Sequence, residues 1–246
     1  MLSGRAKPES LAAGAPTIAR FDAPPVVLHD VEVVQVLYEI KTDPVTDMLP
    51  PGLHPTLPGI VSWLAYACGD SPWGAFRLVQ TRIECRSGNR PRALLVSGVC
   101  DNEAVRAALA TGFGFRLQAG GIDLRRGYDG ADLRVREADR EILSLELRDP
   151  TLLPAGVVQF VSGMHPAHTP NGFRLAQVDV DHETTRSERA RPRLRSFDAG
   201  AWGDLRIEPL YPVAGAICLA EVTVQALRFV CKPEVISFMG TEKVGG

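Results

Sequence analysis

The chain has 246 residues, with 27 Lys and Arg against 29 Asp and Glu, a net charge of -2 and 45% hydrophobic residues. That length holds one large domain or two small ones with a sizeable core, and 23% charged residues beside this apolar content exclude a mostly disordered chain. The near-neutral balance excludes a general nucleic-acid binder or an anionic-membrane binder, both of which need a basic excess.

Residues 1–25 are rich in Ala, Gly, Ser and Pro without periodicity, which predicts a flexible N-terminal arm ahead of a single domain over 26–246. Val31 to Ile40 reads as a strand, and Thr42-Asp43-Pro44 offers an N-cap and a helix-compatible proline for a short helix to Leu49, stopped by Pro50-Pro51-Gly52. Gly59 to Ala67 is an apolar run. Phe76 to Arg86 and Ala93 to Cys100 predict a hairpin around Ser87-Gly88-Asn89-Arg90-Pro91. Asp101 opens an alanine-rich helix that ends at Gly112. Asp132 to Arg136, Glu141 to Leu147 and Phe173 to Asp181 alternate as half-buried antiparallel strands do, whereas the charged run Glu183 to Arg195 reads as an exposed connection. Pro212 to Val230 is too continuously apolar for periodicity to choose between helix and strand.

No segment approaches the roughly 20 apolar residues of a membrane span. Arg5 and Lys7 are followed by Glu9, Gly14, Pro16 and Arg20 rather than by the apolar stretch of a secretory signal. Cys68, Cys85, Cys100, Cys218 and Cys231 are odd in number and scattered, which predicts reduced, buried thiols in a cytoplasmic protein. His165 and His168 lie three apart, but Pro166 and Pro170 break any helix there, so they read as loop histidines and no metal is predicted. Asp179, Asp181, His182 and Glu183 read as a solvated sheet margin. Phosphate-loop, nucleophile-elbow and HExxH signatures are absent, and no cofactor is predicted.

Several segments, in order, resemble the acetoacetate decarboxylase family: Val36-Leu37-Tyr38 through Lys41-Thr42-Asp43-Pro44, then Met48-Leu49-Pro50-Pro51-Gly52-Leu53, Asp101-Asn102-Glu103-Ala104, Asn171-Gly172-Phe173-Arg174 and Leu210-Tyr211-Pro212-Val213. The resemblance implies an α+β, mainly β fold: a closed, cone-shaped antiparallel β-barrel with peripheral helices, a small-molecule site inside it, and assembly into homo-oligomers. It also implies a pair of lysines after the middle helix, the first forming a Schiff base with a β-keto acid and the second lowering its pKa. Here the matching stretch is Gly114-Phe115-Arg116-Leu117-Gln118, with Leu117 in the nucleophile's place and Gln118 in its partner's. The family's two pocket carboxylates fall near Trp63 and Leu78, and its first-strand arginine near Val33.

Only a primary amine condenses with a ketone to an iminium, and neither arginine nor glutamine replaces it. The lysines are Lys7, Lys41, Lys232 and Lys243, leaving none from Thr42 to Cys231. Lys41 stands at a strand-to-helix junction where exposure is the expectation. The resemblance therefore points to a relative that acts on a small keto, enol or polyketide-like substrate without a Schiff base, by cyclisation, dehydration, isomerisation or non-covalent decarboxylation. Arg116 would hold a carboxylate or enolate oxygen, Gln118 would donate a hydrogen bond, and Trp63, Leu78 and Leu117 would supply apolar walls. The alternative is a non-catalytic ligand-binding or assembly protein on the same scaffold.

Overall fold

The computed structural model describes residues 2–154 and 156–245. Four short helices and fifteen strands follow one another as α1 (Pro8–Ala12), β1 (Val26–Ile40), α2 (Thr42–Met48), β2 (His54–Pro55), β3 (Gly59–Cys68), β4 (Phe76–Ser87), β5 (Arg90–Cys100), α3 (Glu103–Phe113), β6 (Leu117–Ala119), β7 (Gly121–Gly127), β8 (Gly130–Glu137), β9 (Arg140–Leu153), β10 (Gly163–Thr169), β11 (Gly172–Val178), β12 (Val180–Phe197), β13 (Tyr211–Val224), β14 (Phe229–Cys231), α4 (Ser237–Gly240) and β15 (Thr241–Lys243). No described helix is long and apolar enough to cross a membrane.

All the strands belong to one sheet, whose main path runs β15-β14-β11-β10-β5-β4-β3-β1-β13-β12-β9-β8-β7. The path ends at β15 and β7 without joining, so the mainly β expectation is met while a hydrogen-bonded, fully closed barrel is replaced by an open, strongly folded sheet. Its centre is a wall of β13, β1, β3, β4 and β5. From one edge the β12-β9-β8-β7 arm folds back until β7 lies against β4 and β5. From the other, β10 and β11 fold over the opposite face.

Alternation along the wall supplies two cores, as the period of two requires. Val34, Val36, Tyr38, Trp63, Ala65, Val79 and Ile83 face the β7–β9 arm, with Trp202 and Phe197 packed among them. Val31, Val33, Leu64, Tyr66, Leu78 and Cys100 face the other way, toward α3, β10, β11 and Ile18. Residues 2–25, the segment expected to be a flexible arm, are tied to the body by main-chain bonds from Gly4 N to Leu53 O (2.9 Å), Arg5 N to Thr46 O (2.7 Å) and Ile18 N to His168 O (2.8 Å).

Several local expectations are corrected. Lys41, not Thr42, is the extended residue before α2, and Thr42 Oγ1 instead accepts from Gly59 N at 3.1 Å. Asn102 caps α3 through Oδ1 to Val105 N, because Asp101 Oδ1 is already engaged by Arg77 N; the helix ends at Gly114, whose φ of +71° suits glycine. The charged stretch after Glu183 is no loop. It forms most of β12, which pairs with β13 through its first half and with β9 through its second, pointing alternate arginines at water and burying Ser187, Glu188 and Ala190. His165 and His168 lie on β10, not in a loop. The stretch after Pro212 resolves into β13, a bend and β14. The five cysteines are free and buried, as expected.

Candidate functional site

The α3 side of the wall carries an enclosed apolar cavity beside a buried polar cluster. Cross-strand register aligns Val33, Tyr66, Leu78 and Cys100 in one row, and Gln35, Leu64, Gln80, Gly98 and Leu117 in the next. Gly98 has to be glycine, since a Cβ there would lie 2.6 Å from Leu117 Cδ2 and 2.8 Å from Val79 O. A third row sets Ser62 beside Arg82, with Glu84 two residues further along β4 on the same face. The cavity has a volume of about 20 Å³ and is lined by Tyr66, Leu78, Gln80, Phe115, Val180 and Val222 among others. A larger depression of about 870 Å³ opens at the surface among Asp30, Glu32, Arg77 and Asp101, where Arg77 already pairs with Asp101 at 3.5 Å. The small apolar cavity has Gln80 and Tyr66 in its lining, and Arg82 stands on the same face of β4 as Gln80, which makes this face of the sheet the candidate small-molecule site.

Arg82 is 3% exposed. Its Nη1 donates to Val161 O at 3.0 Å and its Nε to Ser62 Oγ at 3.4 Å, while Ser62 Oγ donates to Glu84 Oε1. The remaining nitrogen, Nη2, lies 3.6 Å from Glu84 Oε1, close enough for charge pairing, and makes no hydrogen bond. Besides the Glu84 carboxylate, the cation is ringed by two histidines and a phenol that are held neutral. Burial drives His165 down to about 3 against the pull of its bond to Phe113 O; burial, reinforced by Arg82, drives His182 down to about 4. Burial likewise raises the Tyr66 phenol above its ordinary value.

The tautomers follow from the acceptors. His165 Nδ1 donates to Phe113 O at 3.1 Å, and His182 Nδ1 donates to Val180 O at 3.2 Å, so each neutral ring carries its lone pair on Nε2. Tyr66 therefore donates its hydroxyl hydrogen to His182 Nε2 at 3.1 Å and keeps oxygen lone pairs for the cavity. Phe160 stacks on His182 with centroids 4.0 Å apart, and Phe115 meets His165 edge-on at 4.4 Å. Phe160 belongs to the irregular segment 156–162, which covers the cluster and is held by Gln35 Nε2 to Gln159 O at 3.3 Å and by the Arg82 bond to Val161.

The residues picked out by resemblance are divided by this geometry. Leu78 lines the cavity and Leu117 packs beside the same core. Trp63 faces the opposite core, paired with Thr81 and edge-on to Tyr38 and Phe197, so it shares no wall with Leu78. Gln118 also turns away, donating to Ala201 O at 3.2 Å, and Arg116 is exposed beside Gly14. Lys7, Lys41 and Lys243 are exposed, and the Lys232 side chain is 43% exposed, 3.8 Å from Glu242. Sequence reading missed Arg82, Glu84, Ser62, Gln80, Tyr66 and the two histidines. The signal for Gln80, Arg82 and Glu84 was their polar alternation on β4; Ser62, Tyr66 and the histidines on other strands gave none. Among the described residues no group of His, Cys, Asp and Glu is arranged to hold a metal.

No protein-family profile and no curated protein sequence matches the chain. Solved structures do. Acetoacetate decarboxylase from Legionella pneumophila superposes with a TM-score of 0.73 at 16% identity, over 83% of this chain and 86% of that one. The enduracididine biosynthesis enzyme MppR, complexed with pyruvate, gives 0.67 at 21% identity over 83% and 90%. An acetoacetate decarboxylase-like enzyme from Sphingomonas wittichii RW1 gives 0.63 at 15% identity over 84% and 92%. The chain thus has a mainly β fold. That fold is the one of acetoacetate decarboxylase and acetoacetate decarboxylase-like enzymes.

Proposed function

We propose that this chain is an acetoacetate decarboxylase-like protein that engages a small keto or enol carboxylate, or a polyketide-like relative, without forming a Schiff base. The observation that supports this best is Arg82, a buried guanidinium with a free Nη2 donor, on the same sheet face as Gln80 and Tyr66, in a chain whose lysines all lie toward the surface. A substrate carboxylate would take Nη2 through a charge-assisted bond. Tyr66, its hydrogen committed to His182, offers an acceptor to an enol hydroxyl, and Gln80 offers both a donor and an acceptor. Such binding favours the enol of a keto acid, the species through which isomerisation, dehydration or cyclisation would proceed. The cavity of about 20 Å³ holds about one water molecule, so entry requires the 156–162 cover and Phe160 to move aside. That MppR is described in complex with pyruvate favours keto acids as the first class to test. Homo-oligomeric assembly and a cytoplasmic setting belong to the same proposal.

A second reading, non-catalytic ligand binding, is favoured by the cavity lining, where Gln80 and Tyr66 are the polar members beside apolar side chains. Titrating pyruvate and acetoacetate by NMR, with product monitored in the same tube, separates the two. Saturable binding with turnover supports the enzyme, and binding alone supports the ligand protein. A borohydride-stable adduct of acetoacetate on any lysine, seen by mass spectrometry, would overturn the Schiff-base-free reading.

A further inference from the structure

On the opposite side of the β5-β10-β11 region, a cleft of about 530 Å³ opens between the β4–β5 hairpin turn and the α4–β15 unit. Its floor is Arg92, which is 7% exposed. Arg92 Nη1 pairs with Asp179 at 2.9 Å and Nη2 donates to Gln177 Oε1 at 3.3 Å, yet Nε is buried with no hydrogen-bond partner. An orphaned donor on a buried cation is costly, so this nitrogen is primed to donate to an oxygen partner. Arg90 at the hairpin turn adds a second guanidinium, exposed and without an ion-pair partner among the described residues. Asp179 pairs with Arg92, but among the described residues no carboxylate lines the cleft. Two aromatic rings do: Phe229, partly buried, and Phe238, which is 94% exposed on α4. Ser237 closes the side toward the hairpin, where a Cβ on Gly88 would meet its Oγ at 3.1 Å.

We propose that this cleft is a second binding site, for a small planar organic carboxylate. The carboxylate pairs with the exposed Arg90 guanidinium and, once the side chains over it shift to uncover the buried Nε, takes the Arg92 donor; its apolar body lies between Phe229 and Phe238, which otherwise leaves a phenyl ring in water. The cleft is separate from the apolar cavity near Tyr66 and Gln80, since the two share no lining residue.

The test is a titration of the full chain with benzoate, with inorganic phosphate and benzylamine as parallel arms, read by calorimetry and by NMR shifts. Saturable benzoate binding is expected, and acetoacetate, which has a carboxylate but no ring for Phe229 and Phe238, should displace it only at far higher concentration. Arg90→Ser and Phe238→Ala, both at exposed side chains, should each weaken it about tenfold, and Arg92→Met should abolish it. If Arg92→Met fails to fold, the two exposed substitutions decide. Absence of benzoate binding, phosphate binding in its place, equal affinity for benzylamine, or indifference to both exposed substitutions would each overturn the proposal.

Discussion

Arg82 and Glu84 project from the same face of β4 with Nη2 and Oε1 3.6 Å apart, and both side chains are more than nine-tenths buried. A charge pair in such a place is stable as a pair and costly when halved. Arg82→Met leaves Glu84 an uncompensated buried carboxylate and should cost about 3–5 kcal/mol in urea unfolding. Arg82→Met combined with Glu84→Gln should recover most of that loss. A double variant whose loss equals the sum of the Arg82→Met and Glu84→Gln losses would show that the charges are not coupled.

Acid should weaken the fold through His165 and His182. Their folded pKa values, about 3 and about 4, lie below the ordinary 6.5, so the unfolded chain binds protons that the folded chain refuses. Stability from both is fully present above about pH 6.5 and falls as pH drops toward 4, by up to about 1.4 kcal/mol per pH unit for each histidine. Denaturation midpoints at pH 7.5, 6 and 5 check this. His182→Gln should flatten the profile, and a wild-type midpoint unchanged across the range would contradict it.

Leu117 stands on the cavity face of the sheet, across Gly98, where no amine exists. Leu117→Lys places one there in apolar surroundings that depress its pKa and favour the free base. Borohydride in the presence of acetoacetate should then leave a mass adduct on residue 117, with none on the unmodified chain. Equal labelling of both proteins would mean that a surface lysine reacts and that residue 117 is irrelevant.

Trp202 anchors the segment between β12 and β13. Its ring is fully buried, Nε1 donates to Ile142 O at 3.2 Å, and its own carbonyl accepts from Ser97 Oγ at 2.7 Å. Trp202→Ala should cost about 3–5 kcal/mol in unfolding free energy, and proteolysis should move to residues 198–204. A loss under about 1 kcal/mol would show that the β7–β9 core collapses around the gap.

Much of the wall was legible in the sequence because hairpins with turn residues at the right spacing announce themselves: β4 and β5 around Gly88 and Asn89 are the clearest case. The site was not, for two reasons. Alternating Gln80, Arg82 and Glu84 ordinarily mean a wet face, and only the distant 156–162 segment with β10 and β11 makes this one dry. Trp63 and Leu78 could be assigned to a common wall only by guessing register; Trp63 in fact pairs with Thr81, and Leu78 with Tyr66. β10 was hidden by Pro166, which is tolerated because β5 pairs with that strand only at Gly163 and Met164. The charge of β12 hid a strand whose outward arginines mask its inward Ser187 and Ala190.

The shared wall also governs how the molecule comes apart. Alternate residues of β1, β3 and β4 belong to different cores, so neither core melts while the other stands, and a one-residue insertion in any of these strands would exchange their contents. Because β1 pairs with β13 nearly two hundred residues later, Val26 against Val224 and Glu39 against Tyr211, the wall closes only after most of the chain has been made. Folding is therefore expected to be slow and all-or-none for the wall, with the β7–β8 hairpin the first piece to open in hydrogen exchange.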